Sequence, residues 1–165
     1  MRRIFLGLIL FVATAAAPHA ETSISTPMSA QRFFQGHTES RGQLRQIFSK
    51  SRAVVSYGNG RVEPDGTLVL TQIIHQDGAV PKHREWRLRE DRAGHCTGTV
   101  TDGIGLVEGN LTGNQLHMRF KLKGGLSVEQ WLSFRPDGRS ATNRIKVRKL
   151  GISVASIDES IRKTD

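Results

Sequence analysis

Closely spaced turn signals divide the chain after residue 36 into short segments in which apolar and polar residues alternate. A period of two residues is typical of β-strands that bury one face, and no useful stretch of helical periodicity follows residue 36. Glycine, proline, asparagine and aspartate supply the turns, because these residues adopt the tight backbone conformations that turns require. The turns lie at Asn59-Gly60, Pro64-Asp65-Gly66, Asp77-Gly78, Asn110 to Gly113, Gly124-Gly125 and Pro136-Asp137-Gly138.

These turns delimit nine predicted strands, and a tenth is predicted near residues 151–158. Short connections favour antiparallel pairing between neighbours, and so many strands must close into a barrel or pack as a sandwich to avoid open edges. A length of 165 residues favours one domain and excludes a multidomain enzyme. We therefore predict an all-β fold, a single antiparallel barrel of about 8–10 strands. The nine strands span residues 38–48, 52–58, 67–76, 83–91, 95–101, 104–109, 115–123, 127–134 and 140–148.

The N-terminus has the layout of a secretory signal peptide, with Arg2 and Arg3 followed by an apolar run from Ile4 to Ala17. That run of 14 residues is shorter than the roughly 20 residues with which a helix spans a bilayer. We predict a signal peptide over residues 1–20, cleaved after Ala16 or Ala20, and an uncleaved anchor is the alternative. The mature protein is then expected to be periplasmic or secreted.

The remaining chain divides into a polar, flexible lead-in over residues 21–32, a barrel domain over 33–160 and a C-terminal tail over 161–165. A short helix over Ala30 to Phe34, capped by Ser29, is predicted at the start of the barrel. The single cysteine, Cys96, excludes an intramolecular disulfide, and we expect no lipoprotein anchor because no cysteine follows the signal. We interpret Cys96 as a small, half-buried hydrophobic residue in a strand, without a catalytic role.

A series of short motifs lies in a fixed order along the predicted barrel. In this order they resemble a family of bacterial secreted or envelope proteins that is known only as a domain of unknown function. The resemblance covers residues 33 to 160 and implies a calycin, or lipocalin-like, β-barrel; some relatives are lipoproteins, and no catalytic residue is implied. The motifs are Phe33-Phe34-x-Gly36, Pro64-Asp65-Gly66-Thr67-Leu68, Arg84-x-Trp86, Gly98 with Asp102 and Gly105, Gly109-x-x-x-Gly113-Asn114, Asn143-Arg144 and Lys149-Leu150-Gly151-Ile152.

Five polar or aromatic side chains fall in register with the apolar face of their strands and are therefore predicted to point into the barrel. A buried amide or guanidinium is costly unless it is hydrogen-bonded. These groups either form a satisfied internal network that fixes strand register, or line a cavity that orients the polar end of an apolar ligand. Barrels of about eight strands can hold one small ligand. The five residues are Gln72, Arg84, Trp86, Gln130 and Asn143.

Basic residues concentrate on the opposite, outward face of the predicted strands 115–123 and 140–148, and Trp131 lies on the polar side of the strand between them in sequence. The chain carries 24 lysine and arginine residues against 15 acidic ones, a formal charge of +9. Nucleic acid would fit this charge, but predicted export and the few aromatic residues argue against such a partner. The face either keeps the domain soluble or attracts an anionic membrane surface or acidic glycan. It comprises Lys121, Lys123, Trp131, Arg144, Lys146 and Arg148.

Motifs that would indicate an enzyme are absent from the sequence. There is no Gly-x-Ser-x-Gly turn and no phosphate-binding loop, and the histidines form no close pair of metal ligands. We predict a protein that is not an enzyme, has no cofactor and binds a small apolar or amphipathic, lipid-like ligand in its barrel. The alternative is an envelope protein that uses its basic outer face to contact anionic lipid or glycan.

Overall fold

Residues 28–165 are described by the computed structural model, so the predicted signal peptide and most of the predicted lead-in lie outside the described residues. A short helix, α1, is followed by ten strands. The helix spans Ala30–Phe34. The strands are β1 Gly36–Gln46, β2 Arg52–Val62, β3 Leu68–Gln76, β4 Lys82–Glu90, β5 His95–Val100, β6 Gly103–Thr112, β7 Gln115–Leu122, β8 Leu126–Phe134, β9 Ser140–Lys149 and β10 Ile152–Lys163.

The ten strands form one closed antiparallel barrel in which each strand pairs with its neighbours in sequence and β1 pairs with β10. This confirms the predicted all-β barrel and its upper strand count. The last strand runs to Lys163 and therefore continues through residues 161–163, which the sequence assigned to a tail. Closure pairs every edge, which removes the exposed edge strands that would otherwise promote aggregation.

Side-chain alternation along the strands builds the core. In β7 the buried residues Leu116, Met118 and Phe120 alternate with side chains that reach the outer surface. The pattern is that of a sheet with one face packed on a core and the other in water, and it arises because successive side chains on a strand point to opposite faces. The apolar stripes of all the strands therefore meet inside the barrel.

Helix α1 closes one end of the barrel, because its two aromatic side chains, Phe33 and Phe34, are buried there. Ser29 caps the helix by accepting a hydrogen bond from the backbone N–H of Arg32 at 3.2 Å, which confirms the predicted cap. Phe33 is fully buried, and its ring centroid lies 5.0 Å from that of Phe34 and 5.1 Å from that of Phe134. A five-residue helix is unstable alone, so this burial holds α1 in place.

Backbone and polar contacts fasten the helix to the strand ends around it. The N–H of Ala30 donates to Glu90 Oε2 at 3.2 Å, and Lys163 Nζ donates to the carbonyl of Phe33 at 3.1 Å. Gly60 in β2 allows the close approach, because a Cβ there would lie only 1.9 Å from the carbonyl oxygen of Phe34. We call this end the helix end; the opposite end, formed by the loops over residues 47–51, 77–81, 101–102, 123–125 and 150–151, is the open end.

No helix in residues 28–165 is both long and apolar enough to span a bilayer.

Candidate functional site

A cavity of about 160 Å³ occupies the barrel interior. Its wall is mainly apolar, and Trp86 and Phe120 meet edge to face there with ring centroids 5.2 Å apart. Several inward side chains nearer the open end, including Ile74, Leu122 and Val147, are only half-buried, so the cavity communicates with that end. All five residues predicted to point inward line the cavity: Gln72, Arg84, Trp86, Gln130 and Asn143.

On one side of the cavity, the polar groups are paired with protein atoms. The indole N–H of Trp86 donates to Gln72 Oε1 at 2.8 Å. Arg84 donates to Asp102 Oδ2 at 2.7 Å, and its guanidinium carbon lies 5.8 Å from the centroid of the Trp86 ring. That distance lies within the range of a cation–π contact, as expected for an Arg and a Trp two residues apart on one strand. This side therefore fits the interpretation of an internal polar network, in which Asp102 Oδ1 alone is buried without a hydrogen bond to a described residue.

On the other side, a carboxylate that sequence reasoning missed is the centre of the polar cluster. Glu159 Oε1 accepts from Asn143 Nδ2 at 2.7 Å, and Glu159 Oε2 accepts from Ser40 Oγ at 3.0 Å. The hydroxyls of Ser40 and Ser56 are 2.6 Å apart and share a further hydrogen bond. The prediction for the last strand ended at residue 158; continuing the alternation past Ile157 would have placed Glu159 inside.

Two polar groups of the cavity lack protein partners. Asn143 is 4% exposed, and its Oδ1 is buried without a hydrogen bond to any described residue. Gln130 is 8% exposed, and its side-chain amide forms no hydrogen bond with a residue of the described chain. Leaving a buried polar group unpaired costs about 1–3 kcal/mol, so such groups call for an explanation in a native structure. Here both face the same cavity.

Burial raises the pKa of Glu159, because desolvation disfavours its charged form. The hydrogen bonds from Asn143 and Ser40 and the positive charge of Arg84 oppose this shift without cancelling it. Glu159 therefore keeps its proton to a higher pH than an exposed glutamate does. A protonated Glu159 adds an O–H donor to the cavity, whereas an ionised one can only accept hydrogen bonds.

Replacing Glu159 by glutamine should flatten the dependence of stability on pH. Because the folded pKa of Glu159 lies above its unfolded value, the stability contributed by this group falls as the pH rises from about 4.5 through the raised pKa. In E159Q that loss disappears. Urea unfolding of both proteins at about pH 4.5 and about pH 7.5 measures this change in unfolding free energy with pH. E108Q, which changes an exposed glutamate on β6, is the control. Equal pH dependence in E159Q and the wild type would contradict this interpretation.

The predicted basic outer face is partly assembled and partly neutralised. Strands β7, β8 and β9 are neighbours, so His117, Trp131 and Arg144 lie side by side. His117 stacks on Trp131 with centroids 4.9 Å apart, and Lys146 Nζ lies 5.6 Å from the Trp131 centroid.

Acidic residues on the same face offset its charge. Glu129 accepts from Arg148 at 2.8 Å and from Arg119 at 3.3 Å, and Asp158 accepts from Arg144 at 2.9 Å. These arginines hold the pKa of Glu129 and of Asp158 below the usual range. Lys121 is exposed near the end of β7 and Lys123 lies in the turn beyond it, while Trp131 and Lys146 line an open depression on the outer wall. The face therefore offers less free positive charge than the sequence implied.

Residues 28–165 contain neither a cluster of metal ligands nor a reactive thiol. No group of three histidine, cysteine, aspartate or glutamate residues in that range could hold a metal ion. Cys96 is fully buried, and burial raises the pKa of its thiol to about 12, which makes it unreactive at neutral pH. Its predicted place in a strand is confirmed, but it belongs to the core and is fully buried where half-burial was predicted.

Solved structures with a similar fold include the S-type phycobiliprotein lyase CPES from Guillardia theta, with a TM-score of 0.63 and 11% identity over 84% of this chain and 94% of that one. Rv2717c from M. tuberculosis matches with a TM-score of 0.62 and 14% identity over 81% and 94%. A DUF3598-family protein of unknown function from Nostoc punctiforme matches with a TM-score of 0.62 and 8% identity over 84% of this chain and 51% of that one. At these identities the likeness shows the fold alone.

No curated protein sequence matches the chain. The family model of DUF3833, described as a protein of unknown function, matches residues 8–163, which is nearly the whole sequence. The predicted resemblance to a domain of unknown function is thus confirmed, and the barrel that it implied is the fold observed. The chain belongs to the DUF3833 family of proteins of unknown function.

Proposed function

We propose that the protein binds one small amphipathic molecule inside its barrel without converting it chemically. The observation that carries this proposal is the set of polar groups that a largely apolar cavity leaves without a protein partner. Asn143 Oδ1 is fully buried and unpaired, and the amide of the largely buried Gln130 forms no hydrogen bond with a described residue. A ligand with an apolar body and one polar group would pair them and fill the space beside Trp86. Pockets of this composition, with a few convergent polar groups, are typical of small-molecule sites.

The chemistry of the unpartnered groups favours a neutral polar group that donates a hydrogen bond. Asn143 Oδ1 can only accept, whereas the Gln130 amide can both donate and accept. The one cationic side chain of the cavity, Arg84, is already paired with Asp102, and Glu159 lies on the same wall as Asn143. A carboxylate ligand would therefore find no free positive charge. A hydroxyl or amide fits better.

The size of the cavity limits the part of a ligand that the interior can enclose. An apolar cavity of about 150 Å³ can hold a benzene-sized molecule. The cavity of about 160 Å³ thus fits roughly six to eight non-hydrogen atoms. A longer chain would have to extend towards the open end.

The layout of residues 1–20 leads us to propose that binding takes place outside the cytoplasm, which N-terminal sequencing of the protein from its host would test.

Tryptophan fluorescence can test binding at the cavity directly, because the chain has two tryptophans and only Trp86 lines the interior. In W131F, titration with 1-hexanol should give a saturable change in emission with a Kd of about 0.1–1 mM, while hexanoate at neutral pH binds more weakly. In W86F, which keeps only the outer Trp131, emission should stay unchanged. Equal and unsaturable responses in the two variants would rule out the proposed site.

A further inference from the structure

The loops of the open end expose large apolar side chains. Phe48 is fully exposed, Leu150 is 92% exposed and Val80 is 83% exposed, and each lies in a different loop of that end. These are the three most exposed large apolar residues between residues 28 and 165. Ile47 precedes Phe48 in its loop, Ile152 begins β10 beside the loop of Leu150, and Ile104, near the start of β6, is a further exposed apolar residue of this end.

The backbone at two of these tips is also strained. Phe48 has a φ of 59° and Leu150 a φ of 50°, and they are the only residues other than glycine with positive φ in the described chain. Glycine and asparagine adopt this conformation at low cost, whereas a bulky residue pays a steric penalty there. Neither side chain is compensated by packing within the protein, since both are exposed. An apolar residue that costs stability in water suggests a partner outside the chain.

Free positive charge surrounds the same tips. The acidic residues of these loops are already engaged, since Asp102 binds Arg84 and Asp77 accepts a hydrogen bond from the N–H of Ala53 at 3.2 Å. At the helix end, by contrast, the turns contain Asp65, Asp91 and Asp137. Five basic residues, in the loops of the open end or at the strand ends that border them, are exposed and form no ion pair within residues 28–165: Lys50, Arg52, Lys82, Lys123 and Lys149.

We infer that the open end docks on an anionic lipid bilayer, with Phe48, Val80 and Leu150 inserted at the level of the headgroups. Apolar side chains flanked by lysine and arginine are the combination that binds such an interface, through burial of apolar area and attraction to anionic lipid. A protein partner would also bury apolar tips, but the unpaired cations around them favour the negatively charged membrane surface. Docking would place the mouth of the cavity on the bilayer.

Fluorescent labelling of single positions can test this orientation in the full chain. Cys96 is fully buried and unreactive, so F48C, V80C and R92C can each be labelled selectively with the environment-sensitive dye nitrobenzoxadiazole. With vesicles of 30% phosphatidylglycerol in phosphatidylcholine, emission should shift to the blue and rise at least twofold at positions 48 and 80. It should stay constant at position 92, which lies in a turn of the helix end. The N-terminal apolar run is the same in every variant, so any binding that it causes cannot create this contrast.

A second pair of variants separates docking from stability. In F48N/L150G, residues suited to positive φ replace the two strained apolar tips, so resistance to urea should be equal to or greater than that of the wild type. Partition onto the same vesicles should nevertheless fall by about tenfold or more, and K50Q/K82Q/K123Q should weaken it by a similar factor. Unchanged partition in both variants would overturn the inference. Equal label responses at positions 48, 80 and 92 would also overturn it, as would blue shifts at positions 48 and 80 that appear only when a soluble partner protein is added and not with vesicles.

Discussion

F33A should lower the free energy of unfolding by about 3–5 kcal/mol, the usual cost of removing a fully buried aromatic ring. Phe33 has no exposed surface and packs between Phe34 and Phe134. Because α1 has only five residues, it depends on this packing rather than on its own helical hydrogen bonds. We expect the helix end of the barrel to open as the ring is lost. Urea unfolding followed by circular dichroism measures the change.

The matched control is the same substitution at the open end. Phe48 is fully exposed, so F48A should change the unfolding free energy by no more than about 0.5 kcal/mol. A loss in F33A as small as that in F48A would mean that α1 is not part of the cooperative fold. A large loss in both variants would contradict the exposure that the structure assigns to Phe48.

Q130L should make the protein more stable and a poorer binder. Leucine is close to glutamine in size, and it removes a buried amide that has no protein partner, so we expect a gain of about 1–2 kcal/mol in unfolding free energy. The same change removes one hydrogen-bond partner for the polar group of a ligand. The Kd for 1-hexanol should therefore rise about five- to tenfold, measured by Trp86 emission in the W131F background. A gain in unfolding free energy together with a rise in Kd is expected of a residue that contacts the ligand. A residue that only supports the fold would lose stability when it is replaced.

Q46L is the control for this experiment. Gln46 ends β1 at the open end, is exposed and forms no side-chain hydrogen bond within the described chain, so its replacement should leave both stability and 1-hexanol binding nearly unchanged. If Q130L instead lost stability, the amide would have a structural partner. If 1-hexanol bound Q130L as tightly as the parent variant, Gln130 would not contact the ligand.

Much of the barrel was predictable because its information is local. The alternation of Leu116, Met118 and Phe120 with polar neighbours indicates the direction of every side chain in β7. A tight turn brings the next strand directly alongside, so consecutive strands pair antiparallel. The closure between β1 and β10 joins residues more than 100 positions apart, such as Ser40 and Ile161. The strand count left a sandwich possible, and apart from it only the family resemblance indicated a closed barrel.

The sequence predicted that several side chains of the candidate site point inward, but it predicted neither Glu159 nor the hydrogen bonds that join these side chains. Alternation placed Gln72, Arg84, Gln130 and Asn143 inside, which the cavity lining confirms. Alternation could not show that Gln72 accepts a hydrogen bond from Trp86 while the Gln130 amide has no partner among the described residues. Such contacts depend on side-chain conformation and on the neighbouring strands. The position of Glu159 beside Asn143 follows from the register of β10 on β9, which no local pattern reveals.

The most direct test of the proposed ligand site is a ¹H–¹⁵N NMR titration of the protein with 1-hexanol. Saturable shifts are expected for the side-chain NH₂ groups of Gln130 and Asn143 and for the indole N–H of Trp86, which line the cavity. The indole of Trp131 on the outer face and the amide of Gln46 should not move. Shifts confined to Trp131, or no saturable shift at Gln130 and Asn143, would contradict binding of an amphipathic ligand inside the barrel.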